Sequence, residues 1–416
     1  MFNFFLLLCL YLPFQVALNP ILGIDLASIR ILIMVLFIFW FFIGAKNKKT
    51  FLISDIQSKL ILIFLFLSFF SMFFAQNYSW SLRKLFYLFS ISPLFFIAKN
   101  LLNSRKRRLE VLKRLVISGA LLSFIGVIQF FSQFFWSHEE ISNFYLKFIG
   151  PTFWGESFTQ MVAAHSSWLV SISGRNYFRA ISIFPDPHTL SMFLGMLLPL
   201  ALGLFLFYKK DKIWLISFLL ILVADLLTFS RGAYLGALAG LLVFIFIFWK
   251  KINKRNKIII GVVAILFFAI SAFNPISQRF LSSFNLKEGS NLGRIKIWEK
   301  SVKVISQKPI FGTGIGNFPL EINEDEHYRN PIYAHNTYLD IAVEEGILAG
   351  IVWMLILLVT LKKFWLIFQK DSLYIGLIVS LVIFSVHSLV ETGIYSPMVL
   401  ALFLILISFY SQNGKQ

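Results

Sequence analysis

Apolar residues in this chain run in stretches of roughly 20 positions, the width of a bilayer core when coiled as a helix, set off by short basic connections and two long polar ones. The stretches fall at about 4–22, 29–45, 60–75, 85–98, 115–136, 189–207, 213–229, 233–249, 258–273, 346–361, 373–391 and 397–411. Inside a bilayer every backbone N–H and C=O must find a partner within the segment, and a helix does that. The pattern therefore predicts an all-α, polytopic transmembrane bundle of about 12 spans, a single membrane-embedded domain over 1–416. The first stretch has neither a basic region before it nor a small-residue cleavage site after it, so it is expected to be a retained anchor.

The long connections cover 137–188 and 274–345. In the second, Ile295, Trp298, Val302 and Ile305 recur at helical spacing with Lys296, Lys300 and Lys303 off the stripe, which predicts an amphipathic helix over 291–306 ended by Pro309. A further short helix is predicted over 333–345, starting near His335 or Asn336 and broken at Gly346. No tandem repeat occurs, and no paired Gly/Pro-broken spans of the kind inverted-repeat transporters carry.

Composition agrees: of 416 residues 58% are hydrophobic and 14% charged, with fifty Phe, too apolar for a soluble domain. The lone Cys9 excludes an internal disulfide and a cysteine metal site. The net charge of +18 would suit a nucleic acid, but its placement argues otherwise. Alternate connections carry 23 Lys/Arg against four acidic residues, while the two long loops are close to neutral. That is the positive-inside pattern. It puts both termini in the cytoplasm, both long loops on the outer face, and leaves membrane lipid rather than nucleic acid as the surrounding partner.

Candidate chemistry gathers on that outer face. Arg231 stands between two spans with almost no loop, where a guanidinium needs a partner; it is either a functional cation or a structural one paired with Asp225 or reaching the headgroups. Arg179 precedes Pro185-Asp186-Pro187-His188 at the mouth of a span, and for His188 a capping role is favoured over chemistry. Arg294 sits early in the amphipathic helix, and Arg83 lies on a short outer connection. Arginine is permanently charged and grips phosphate oxygens through a planar fork, so several together suit a diphosphate and the charge that builds on it as it departs. His335, at a helix start whose dipole would lower its pKa, is the candidate base for an attacking hydroxyl. Glu391, taken to lie late in its span one turn after His387, is an intramembrane acid. The glycines of Gly312-Thr313-Gly314-Ile315-Gly316 match no nucleotide motif and favour a structural turn. No Asp-x-Asp pair occurs, and Glu324-Asp325-Glu326-His327 suits a solvated loop better than a metal.

Three segments in order carry a family likeness: Ser230-Arg231-Gly232-Ala233-Tyr234-Leu235-Gly236, then Phe311 to Phe318, then Ala334-His335-Asn336-Thr337-Tyr338-Leu339 with Glu345-Gly346. Together they resemble the O-antigen ligase and O-antigen polymerase superfamily. The likeness spreads over roughly 60–400, its motifs over about 179–350. The family's Arg-x-x-x-Leu falls on Arg231 to Leu235, and its His-Asn with a later Gly on His335, Asn336 and Gly346; Ala349 stands where the family often has Gly, Thr or Tyr. The resemblance implies a GT-C-like, metal-independent, inverting glycosyltransferase of a bacterial cytoplasmic membrane. Such an enzyme needs no cofactor and moves a glycan from undecaprenyl diphosphate to a hydroxyl of lipid A-core or a similar acceptor. It implies His335 and Arg231 as catalytic, Arg179, Arg231 and Arg294 on the diphosphate, and Asn336 and Gly314 in support; the residues' own chemistry adds Arg83, otherwise a headgroup contact, to the diphosphate set and Glu391 to the supporting one. A polymerase joining lipid-linked repeat units is the nearest alternative, and a lipid-glycan transporter the alternative of another class.

Overall fold

Helices take up the apolar stretches of the chain, seen here in a computed structural model that describes residues 1–21, 24–46, 55–248, 257–258, 261–262, 265, 274–285, 289–323 and 332–409. Most of the stretch expected as a span at 258–273, and all of Glu324 to His327, lie outside the described residues. The principal helices are α1 (Phe2–Tyr11), α2 (Ser28–Lys46), α3 (Ile56–Ser71), α4 (Tyr78–Ile91), α5 (Pro93–Leu101), α6 (Arg105–Ser132), α7 (Pro187–Gly203), α8 (Lys212–Leu227) and α9 (Arg231–Phe248). There follow α10 (Gly289–Gln307), α11 (Thr337–Glu345), α12 (Ile347–Phe368), α13 (Tyr374–His387) and α14 (Pro397–Ile407). Among the described residues five helical segments are long and apolar enough to cross a membrane: Ile56–Phe74, Tyr78–Leu101, Arg105–Ser132, Pro187–Tyr208 and Ile347–Phe368. Shorter apolar helices run over Phe2–Phe14, Ser28–Gly44, Arg231–Ile247, Tyr374–His387 and Pro397–Ile407. The chain is a helical membrane protein.

Two departures from the predicted pattern are local. The first apolar stretch is helical only to Tyr11, tightens over Leu12–Phe14 and then forms a hairpin of β1 (Ala17–Ile21) with β2 (Ile24–Ala27). Pro13 and Pro20 lack the N–H a continuing helix needs. A second hairpin, β3 (Leu169–Ile172) with β4 (Arg175–Phe178), lies in the first long loop, turning at Ser173 and Gly174. The helix predicted at 291–306 is α10, and the one predicted at 333–345 is α11.

Inside lipid, helices associate through close van der Waals fit rather than through hydrophobic exclusion from water. α9 shows how: Gly232, Gly236 and Gly240 recur every fourth residue against α13, so close that a Cβ on Gly232 would meet His387 at 2.3 Å and one on Gly240 would meet Ile383 at 2.7 Å. α13 packs against α7 as well as α9, while α8 lies along α6 and α12 along α3.

The bundle has two polar ends. At one, the start of α3 meets the end of α5 and of α12: Asp55 caps α3 through the Gln57 and Ser58 amides and binds Lys99 and Lys363. There too the start of α6 meets the chain after α12, Arg105 lying 2.9 Å from Asp371. At the opposite end come together the end of α6, the starts of α7 and α9, and the end of α13.

One expectation is corrected here. Glu391 is not within a helix: α13 stops at His387, a turn covers 388–390, and Glu391 comes just after it. α11 docks with its first residue on the segment just beyond that helix end. The Thr337 amide donates to Ser388 O at 2.9 Å and its hydroxyl to Glu391 O at 3.0 Å.

A candidate active site at one end of the bundle

Glu391 is the centre of the polar end. It is 9% exposed, and its two oxygens are approached from three elements. His335 Nδ1 lies 3.0 Å from Oε1, which also accepts from the Thr392 amide at 3.2 Å. Arg294 NH2, from α10, donates to Oε2 at 3.5 Å, and His188 Nδ1, from the start of α7, lies 3.6 Å from the same oxygen. Burial alone would raise this carboxyl's pKa, but His335, by charge and hydrogen bond, and Arg294 hold it well below the usual carboxylate range. Glu391 is therefore an anion at neutral pH.

His335 owes its position to a braced corner. Asn336 caps α11, its side chain accepting from the Tyr338 and Leu339 amides at 3.0 and 3.1 Å. Ala334 is held on both sides: its carbonyl accepts from Trp298 Nε1 at 2.7 Å, and its amide donates to Asp340 at 2.8 Å. Between them His335 takes a left-handed backbone, φ 48°, that costs of order 1–3 kcal/mol and persists only where the surroundings impose it. Its side chain keeps 37% exposure. With Nδ1 on Glu391, Nε2 is the nitrogen left to meet a ligand. Burial works against the imidazolium, yet Glu391's charge and hydrogen bond outweigh it and raise the pKa above the ordinary value, with Arg294 opposing and Asp340 adding. The expected lowering by the helix dipole is thus overridden by a carboxylate in contact.

Arg179 follows β4 directly and is locked by α6. Gln129 and Gln133, one turn apart on that helix, accept from the Ile181 amide and the Phe178 amide, each at 2.8 Å, and Gln129 donates to Arg179 O at 3.1 Å. The guanidinium is 3% exposed; Nε donates to Thr228 O at 2.7 Å, and NH1 lies 3.1 Å from Ser167 O and 3.3 Å from His188 Nε2. Its NH2 is buried without a hydrogen-bond partner. Burial, reinforced by Arg279, lowers its pKa to about 9, which leaves it charged at neutral pH.

Arg231 opens α9, 5% exposed, with NH1 2.7 Å from Asn291 Oδ1 in the first turn of α10. Phe229, two residues before it, has φ 49°, and Ser182, three residues after Arg179, has φ 52°. Of the non-glycine residues with left-handed backbone among those described, three therefore flank this one cluster, and the fourth is the hairpin turn at Ser173.

The structure brings together Arg179, Arg294, His335 and Glu391 through the contacts above and ties Arg231 to α10 beside them, with Asn336 as a helix cap. It does not place Arg83 or Gly314 with them. Arg83 is exposed on α4, where its neighbour Lys84 is the residue turned inward, 2.5 Å from Glu344 of α11. Gly314 belongs to a turn wedged against α3, where a Cβ would stand 2.6 Å from Ala75. The amides around it bond to protein: Thr313 N to Val343 O at 2.8 Å and Ile315 N to Ser71 Oγ at 3.2 Å. That turn props α11 instead of presenting N–H groups to an anion.

Sequence reasoning favoured a capping role for His188 and did not single out Arg279, Gln129 or Gln133. The His188 amide is used in the cap that Asp186 forms on α7, at 2.8 Å, but its imidazole turns into the cluster. Arg279 donates to Phe229 O at 3.3 Å and is close enough to depress Arg179. Gln129 and Gln133 were visible as the polar pair in Ile128-Gln129-Phe130-Phe131-Ser132-Gln133, an i,i+4 spacing in an apolar helix. Among the described residues no three His, Cys, Asp or Glu side chains are arranged to share a metal ion.

Arginines and histidines that converge on one buried carboxylate give this end of the bundle the means to grip an anion. Residues 216–354 match the family model for O-Antigen ligase, so that stretch of the chain is similar to the O-antigen ligase superfamily. The matched stretch includes Arg231, Arg294 and His335 and leaves out Arg179, His188 and Glu391. Among curated proteins the chain is similar to the ComP-specific O-oligosaccharyltransferase of Acinetobacter baylyi, 30% identical over 47% of this chain and 36% of that protein. It is also similar to the teichuronic acid biosynthesis protein TuaE of Bacillus subtilis, 26% identical over 51% of this chain and 48% of that one. The chain thus spans less than half the length of either relative.

Proposed function

We propose that this protein transfers a glycan from a polyprenyl diphosphate, undecaprenyl diphosphate in a bacterial membrane, to an acceptor hydroxyl at the outer face of the cytoplasmic membrane. The observation that carries the proposal is the pairing of an exposed His335, tied through Nδ1 to Glu391 at 3.0 Å, with a buried Arg179 whose NH2 has no partner. A base with one free nitrogen beside an unsatisfied cation is what attack on an activated sugar phosphate requires.

In this proposal His335 Nε2 takes the proton of the acceptor hydroxyl as its oxygen bonds to the anomeric carbon. The bond from that carbon to the diphosphate oxygen breaks on the opposite face, so configuration inverts and the lipid diphosphate leaves with the bonding pair. Arg179, Arg231 and Arg294 neutralise the departing charge. Glu391 stabilises the imidazolium that forms, as a carboxylate behind a catalytic histidine does elsewhere. Neither the bond making nor the bond breaking calls on a metal. The lysine-rich end around Lys99, Lys363 and Arg105 lies on the cytoplasmic side in this scheme, the chain crosses about 12 times in a GT-C-like arrangement, and both termini are cytoplasmic.

The acceptor is a sugar hydroxyl of a lipid A-core, a protein hydroxyl, or another lipid-linked glycan; in the last case the same chemistry makes a polymerase. The test uses purified protein in liposomes with a lipid-linked oligosaccharide and each acceptor in turn. Glycan leaving the diphosphate for an acceptor supports a ligase, and lengthening on the diphosphate supports a polymerase. Intact donor that only changes leaflet contradicts transfer altogether.

A further inference from the structure

We infer that His188 is an uncharged spacer between the Arg179 guanidinium and the Glu391 carboxylate, a positioning residue that keeps both ions available for transfer; this rests on the transferase reading above. The ring lies between the two ions. Nε2 is 3.3 Å from Arg179 NH1, while Nδ1 is 3.4 Å from Ser230 Oγ and 3.6 Å from Glu391 Oε2. A guanidinium only donates hydrogen bonds, so Nε2 must accept, and the single ring proton must sit on Nδ1, facing the carboxylate. The Arg179 contact thus fixes the tautomer. A second ring proton would point straight at a fixed cation, so His188 stays neutral through the cycle, unlike His335.

The charged groups around the ring show what it prevents. Arg294 and His335 approach Glu391 from α10 and the start of α11; Arg279 stands beside Arg179, with Asp186 on the α7 cap. Arg179 and Glu391 are the oppositely charged pair that the imidazole touches on its two sides. Remove the ring, and the Arg179 arm can close onto Glu391 as a bidentate pair. The donor would then lose a phosphate-binding guanidinium, and His335 would share its carboxylate with an arginine.

His188→Ala and His188→Asn separate the spacer from other roles. An amide offers an acceptor oxygen and a donor N–H but does not titrate. Binding of undecaprenyl diphosphate alone reads the availability of Arg179; transfer across a pH series reads His335. His188→Ala is expected to weaken diphosphate binding and lower kcat by at least about tenfold, the usual loss when a positioning partner is removed, whereas His188→Asn stays within about threefold. The rising limb of the pH profile should move to lower pH in His188→Ala only, because Arg179 then competes for Glu391. Loss in His188→Asn as deep as in His188→Ala, with both limbs unmoved, would overturn the spacer in favour of a ring that itself carries protons. Normal binding and turnover by His188→Ala would overturn it too. If wild-type protein transfers nothing, the proposed function fails, while the binding comparison still decides the spacer.

Discussion

The two ends of this bundle use the same ingredients to opposite effect. At the lysine-rich end Asp55 meets Lys99 and Lys363, Ser58 shares the bond to Lys99, and Gln57 accepts from Lys363 at 3.0 Å while donating to Thr360 at 2.7 Å. Its carboxylate caps a helix, and the contacts join α3, α5 and α12. At the other end one carboxylate faces two imidazoles and an arginine, Arg179 keeps an unsatisfied NH2, and three residues hold left-handed backbone around it. The first arrangement spends its polar groups on holding helices together. The second has cationic capacity and strain left over, and that is the difference between a structural ion cluster and a site.

Substitutions at the two ends should therefore separate activity from stability. His335→Ala should lower transfer by about 10²–10⁴-fold, the range for loss of a general base, while the protein remains inserted and folded. A single-turnover assay checks it. Glu391→Gln should cost about 10²-fold and also move the pH profile. The sign follows from the contacts: Glu391 raises the His335 pKa, so in wild type the base form appears only as pH climbs through that raised value. Removing the charge lets His335 lose its proton earlier, and the rising limb shifts to lower pH. A limb that stays put in Glu391→Gln would detach His335 from the pH dependence. At the opposite end, Asp55→Ala should lower stability by about 0.5–2 kcal/mol through the lost cap alone, read as a fall in the detergent unfolding midpoint, with kcat unchanged.

Much of the frame was legible because it follows from local pattern. The Ile295, Trp298, Val302, Ile305 stripe announced α10, and Asn336 before Thr337-Tyr338-Leu339 announced the start of α11. Arg179, Arg231, Arg294 and His335 could each be placed near one face from topology. What could not be read was set by contacts between distant segments. Glu391 sat in an apolar run that looked like continuous helix, whereas the helix ends at His387 and Thr337, far away in the chain, docks onto Ser388 and Glu391 just beyond it. His188 looked like a cap residue because its backbone does serve the cap; its ring is directed by Arg179, Ser230 and Glu391, none of them local. The His335 pKa was expected to follow the helix dipole, and a carboxylate from 56 residues further along the chain reverses it. Lys84, not Arg83, is the inward residue of α4, a choice of helix face that the short connection at 76–84 did not reveal.

The most direct test of the account is transfer by Arg231→Ala in liposomes, with insertion verified and a lipid-linked oligosaccharide as donor. Arg231 opens α9 at the junction with α10 and is one of the three arginines assigned to the diphosphate. A fall of about 10³-fold or more, with Arg231→Lys also impaired because an ammonium lacks the planar fork, is the predicted result. Turnover by Arg231→Ala at the wild-type rate would contradict it.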